Sequence, residues 1–231
     1  FDAGNNISYL FSVILFSLFA ALIKKGEDLQ SLVKQSFSLM LTMTCIIAVV
    51  CIFYSQNLME ILYTAHENES IETYSIRLSE SSKILQILMG SFVSISVTYI
   101  FGTLLTANGN LKQLNIVAAI GVVINLTLNI IFIPIFEAKG AAFTSLCVQF
   151  ATCTIQFLIA KRIFNLKFGI SFWISLLSFI LLISISTAFF KSSNMYWIYS
   201  FLISLASGIL IAFITKMLDF RELQNLIISS V

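Results

Sequence analysis

The chain has 231 residues, of which 58% are hydrophobic and 10% charged, and its mean hydropathy is +0.98. A soluble globular domain is roughly half apolar and a quarter charged, so this composition excludes that class and leaves an integral membrane protein. The formal net charge of +2 is scattered over polar stretches and forms no basic patch of the kind that holds nucleic acid.

Seven apolar runs are expected to cross the bilayer, near residues 7–23, 36–54, 84–106, 114–133, 140–160, 171–190 and 195–215. Each is long enough for about 30 Å of hydrocarbon, which takes roughly 20 helical residues. The runs are continuous rather than alternating apolar and polar, so they read as helices and not as barrel strands. The expected fold class is therefore all-α, a polytopic membrane helix bundle. The chain begins at Phe1 without an initiator methionine, and its first run has no basic stretch ahead of it. It does not read as a signal peptide, and the chain reads as the C-terminal part of a longer protein.

After the first run, "KKGEDLQSLVKQSF" (Lys24 to Phe37) gathers Leu29, Leu32 and Val33 on one side of a helix with charges opposite. This pattern predicts an amphipathic linker lying along the membrane surface. "NLMEILYT" (Asn57 to Thr64) predicts an outward extension of the second span, and the acidic stretch from Thr64 to Lys83, with Glu67, Glu69, Glu72 and Glu80, predicts an outer loop. His66, the sole histidine, reads as solvated surface there.

The third, fourth and fifth spans carry polar stripes. Ser91, Ser94, Thr98, Gly102 and Thr106 share one helical face; Asn115, Asn125 and Asn129 share another with Ala118 and Val122; Ser145, Gln149, Thr152 and Gln156 follow a spacing of four, three and four. Two readings stand. Small and amide-bearing residues hold membrane helices together at about 0.6 kcal/mol per hydrogen bond, or the three stripes line a hydrated cavity for a polar substrate. Pro134 is expected to end the fourth span, because it lacks an N–H and disfavours helix before it. Gly140 would open the fifth after the outer hairpin "PIFEAKG", while "TANGNLKQ" supplies the matching inner turn.

No Asp, Glu, Lys, Arg or His lies deep inside any run. Proton relays, paired-aspartate proteolysis and histidine-based acyl transfer need such groups at membrane depth, so the chain is expected not to be an enzyme and to need no cofactor. Cys45, Cys51, Cys147 and Cys153 fall in the runs without CxxC spacing and read as packing residues, not as a disulfide or metal set.

Basic residues set the orientation. Lys24, Lys25, Lys34, Lys112, Lys161, Arg162, Lys167, Lys216 and Arg221 fall on one side, against Arg77, Lys83, Lys139 and Lys191 on the other. The positive-inside rule places the first set, and the C-terminus, in the cytoplasm. Tyr54, Trp173, Tyr196, Trp197 and Tyr199 sit at the expected interfaces as an aromatic belt.

The stretch "LLTANGNLKQLNIVAAIGVVINLTLNIIFIPIFEAKGAAFTSL" resembles the polysaccharide-biosynthesis C-terminal region of oligosaccharide flippases, in the multidrug/oligosaccharidyl-lipid/polysaccharide exporter superfamily. The likeness rests on Leu105, Ala107, Gly109 and Lys112, then Asn125, Leu128, Asn129 and Pro134, then Ala138, Gly140, Ala141 and Ala142. Lys139 departs from it, standing where a small or aliphatic residue is commoner.

The resemblance implies most of the C-terminal lobe of a two-lobe transporter in the bacterial cytoplasmic (inner) membrane, with residues 1–165 as an incomplete lobe of five transmembrane helices. Residues 166–231 would be two added helices and a short cytoplasmic tail. It further implies a flippase that moves a polyprenyl-diphosphate-linked oligosaccharide by alternating access, for cell-surface polysaccharide; from the polar stripes, Asn125, Asn129, Gln149 and Gln156 are the candidates for lining its groove. The implied partners are the lipid-linked oligosaccharide, membrane lipids, the missing N-terminal lobe, and a polysaccharide polymerase with glycosyltransferases. Alternatives are a cation-coupled multidrug exporter of the same superfamily and a non-transporting scaffold of an envelope assembly complex.

Overall fold

The structure, a computed structural model, describes residues 2–64, 69–193 and 195–218, with backbone alone for 2–8 and 11. His66, Glu67 and Arg221 therefore lie outside the described residues. The described chain is all helical: α1 (Asp2–Lys25), α2 (Gln30–Phe53), α3 (Ser55–Leu62), α4 (Ile71–Ala107), α5 (Leu111–Ile163), α6 (Ile170–Ser192) and α7 (Trp197–Ile214). Five of them, α2, α4, α5, α6 and α7, are long and apolar enough to cross a membrane. The fourth and fifth expected spans are the two arms of α5, and the first lies within α1. The chain is a multi-pass membrane protein.

Four helices end the same way at one end of the bundle. Gly26, Gly109, Asn165 and Lys216 follow α1, α4, α5 and α7 with φ of 70, 75, 50 and 56°. Beside each, the next backbone N–H reaches back to a carbonyl of the last turn, as in Glu27 to Leu22 (3.1 Å), Asn110 to Leu105 (2.9 Å) and Leu166 to Lys161 (3.1 Å). This closure satisfies carbonyls that a helix end otherwise leaves open. Lys24, Lys25, Lys161 and Arg162 stand in the last turns here, where the helix dipole favours cations. Gln30 joins the α1–α2 and α5–α6 connections at this end, donating to the Lys167 carbonyl (2.8 Å) and accepting from its N–H (2.9 Å).

Two expectations are corrected. The stretch from Lys24 to Phe37 is not a surface-lying helix: it is the end of α1, a turn at Gly26, and the start of α2. Leu29, Leu32 and Val33 are buried in the core instead of in lipid headgroups. The acidic outer stretch is also not all loop, since α4 starts at Ile71. Its 37 residues make about 55 Å of helix, well beyond the hydrocarbon. Ser70 caps the extension by accepting from the Thr73 N–H at 3.1 Å, and Glu72 adds a favourable charge in the first turn. Arg77 ties it down with a forked pair to Glu69 (3.0 and 2.7 Å) and lies over the rings of Tyr63 and Tyr74. The Glu69 carboxylate, the first cause, raises the pKa of the Arg77 guanidinium.

The core lies where α1, α2, α4, α6 and the second arm of α5 converge. Phe37 is its hub, with ring centroids 5.3 Å from Phe101, 5.5 Å from Phe168 and 5.6 Å from Phe172. α6 and α7 pack on each other and on α2. At their crossing a Cβ on Gly208 would lie 2.8 Å from Ile183 and 2.9 Å from Ile46, so only glycine allows this closeness.

Candidate functional site

The polar stripes are positioned by the fold of α5 onto α4. The α5 helix is a hairpin broken at Glu137, whose φ of 50° and ψ of −127° are not helical. Helix thus continues past Pro134 for two more residues before the break. A proline removes its own N–H bond but does not forbid the turn that follows it. The two arms close tightly: a Cβ on Gly140 would sit 2.3 Å from the Phe132 carbonyl oxygen, and the Phe132 and Phe143 rings meet edge to face at 5.5 Å. Gly121 on the first arm lies under Thr152 and Val148 on the second.

The second arm runs parallel to α4. Lys139 pairs with Glu80 at 2.7 Å, Gly90 faces Leu146, and Gly102 faces Gln156. Lys139 thus fastens the hairpin tip to the long outer extension of α4. The Lys139 ammonium holds the Glu80 carboxyl below the ordinary carboxylate range, first by hydrogen bonding and then by charge. A depressed folded-state pKa gives stability that is present above the unfolded value, near 4.3, and lost as pH falls through the folded one. Acid therefore loosens the tip, and in thermal unfolding Glu80→Gln should be slightly less stable than the wild type at pH 7 and equal to it well below about pH 4, the difference being small because the pair is exposed.

The three stripes have different fates. On α4, Ser91 and Ser94 are buried and Gly102 is covered by Gln156, so this stripe is largely a helix contact. Its hydroxyls turn back on their own helix, as Thr98 does to the Ser94 carbonyl (3.0 Å) and Thr106 to Gly102 (2.7 Å). On the first arm of α5, Asn115, Ala118 and Val122 are exposed.

Asn125 and Asn129 are half-buried, about 40° and 80° round the helix from the packed Gly121 at 100° per residue. Asn129 donates to the Asn125 side-chain carbonyl at 2.9 Å, while its own amide oxygen has no partner. Gln149 is half-buried on the second arm, and Gln156 is 7% exposed with an unpartnered oxygen.

The four candidate amides are held differently. Asn125 and Asn129 are joined directly, Gln149 lies on the opposite arm, and Gln156 is set against α4. Gly121, the floor of the hairpin, was not singled out from sequence, since one glycine among apolar residues carries no periodic signal. Among the described residues no group of three or more His, Cys, Asp or Glu is placed to hold a metal ion.

Helices that cross in alternating directions make the chain a polytopic helical membrane bundle. No family model matches the sequence, and no curated protein matches it. Among solved structures it is similar to the lipid II flippase MurJ in an inward closed conformation, with a TM-score of 0.71 and 20% identity. The match covers 94% of this chain and 45% of that one, so the chain spans less than half the length of its neighbour. At this identity the likeness is one of fold.

Proposed function

We propose that the chain is one lobe of a flippase that carries a lipid-linked oligosaccharide across the bacterial cytoplasmic membrane. The observation that carries this reading is the fold shared over 94% of the chain with a protein described as a lipid II flippase. The substrate class follows from physical need. A sugar head linked through a diphosphate cannot cross hydrocarbon, whereas a polyprenyl tail can remain in it, so a polar groove for the head suffices. The amide pair Asn125–Asn129 and Gln149 offer donors and acceptors without a charge that would trap an ion. Residues 1–165 make the lobe and 166–231 an added pair of helices with a tail; the C-terminus is cytoplasmic, at the end carrying most of the lysines. A second lobe would complete the groove, and the two would rock to expose it alternately to each side.

The packed α4 stripe and the burial of Gln156 favour one other reading, a non-transporting scaffold. Reconstitution separates them. In liposomes, the complete protein should bring a fluorescent polyprenyl-diphosphate oligosaccharide into reach of an impermeant quencher, and a rate equal to that of protein-free liposomes contradicts the flippase.

A further inference from the structure

A cavity of about 240 Å³ opens at the lysine-rich end, between α2, the start of α6 and the turn after α7. It lies apart from the amides above, and its lining is of a different kind. Lys34 and Lys216 stand at it with Gln35, Ser171 and Ser175. Among the described residues neither lysine pairs with a carboxylate; the ion pairs there are Lys25–Glu27, Arg77–Glu69 and Lys139–Glu80.

The start of α6 borders the cavity, and Gly169 at its N-cap supplies no capping side chain. The positive end of a helix is suited to an anion. A second feature points to a ligand independently: Gln35, a residue of the lining, is 9% exposed and its side-chain nitrogen has no hydrogen-bond partner. A buried donor left unmade is costly unless a ligand takes it. The shape is held in place, since Ser38 donates to the Met217 carbonyl and so fixes the turn bearing Lys216 to α2.

We infer that this cavity holds the phosphate of an anionic lipid headgroup. Two ammonium groups, one amide donor, two hydroxyls and a helix N-terminus gather here, with no carboxylate among the described lining residues. Leu39, Phe172, Met217 and Leu218 provide an apolar wall beside them for the glycerol and upper acyl chain. A free anion needs no such wall, and the lysine-rich end of a membrane bundle is where anionic headgroups lie. The site would tie α6 and α7 to α2 through the lipid.

The test uses the purified protein in nanodiscs or mild detergent, titrated with short-chain phosphatidylglycerol, with phosphatidylcholine and inorganic phosphate as parallel arms. Phosphatidylglycerol should bind and raise the melting temperature. The double variant K34Q/K216Q should weaken binding by about tenfold or more at low salt, and Gln35→Leu by several-fold, with melting of the lipid-free protein unchanged. Equal binding by the double variant overturns the site. Phosphatidylcholine binding as tightly overturns the charge requirement, and inorganic phosphate protecting as well as the lipid overturns the headgroup in favour of a free anion.

Discussion

Gly140→Ala is expected to destabilise the protein by about 3 kcal/mol, the upper end of what overpacking costs. The added Cβ would fall 2.3 Å from the Phe132 carbonyl oxygen and 2.6 Å from its carbon, so the obstacle is backbone and cannot rotate aside. The arms must separate, which undoes the Phe132–Phe143 contact and the seat of Thr152 on Gly121. A change of opposite sign three residues earlier serves as control. Glu137 holds a φ of 50° and ψ of −127°, a region that glycine enters freely and other residues enter at a cost of about 1–3 kcal/mol. Glu137→Gly should therefore gain about 1 kcal/mol, after allowance for the greater freedom of the unfolded chain. Unfolding in mixed micelles reads both; equal stability of Gly140→Ala and the wild type would mean the hairpin is not closed as described.

The second large effect falls on function. The double variant Asn125→Leu/Asn129→Leu should lower the flipping rate at least tenfold, equivalent to about 1.4 kcal/mol on the barrier, while leaving folding almost untouched. Removing the 2.9 Å bond between the two amides costs about 0.6 kcal/mol in a membrane, and both positions are only half-buried, so leucine meets no tightly packed wall. Gln156→Leu is the contrast. Its amide is buried on Gly102 with an unpartnered oxygen, so the change should keep or raise stability and spare transport. Flipping assays on proteoliposomes matched for protein content decide both, and an unimpaired double variant would remove the asparagine pair from the groove.

Much of this architecture was legible in the residues because a bilayer permits so few solutions. Continuous apolar runs must be helices, and Gly109 between two asparagines had to be a turn. Gly140 next to Ala141 and Ala142 had to be a close contact. The surface-lying linker was misread because amphipathic periodicity does not distinguish an apolar face bound for headgroups from one bound for a core. Leu29, Leu32 and Val33 went to the core when Gly26 closed α1 and turned the chain.

The acidic stretch misled for a related reason, since composition marks Glu69 to Lys83 as wet but not as unfolded, and Ser70 with Glu72 is a sound helix start. The stripes were correctly placed on helix faces, yet period alone cannot say which face a neighbour covers. That depended on α4 lying parallel to the second arm of α5, a matter of tertiary packing.

Water access to the amide flank is the central claim, and site-directed thiol labelling in intact membranes tests it most directly. With Cys45, Cys51, Cys147 and Cys153 replaced, single cysteines at positions 125, 129 and 149 are exposed to a membrane-impermeant, water-soluble thiol reagent, with a cysteine at Ile130, on the open apolar side of the same arm, for comparison. The account predicts rapid modification at 125, 129 and 149 and none at 130. Protection of all three to the level of position 130 would contradict it.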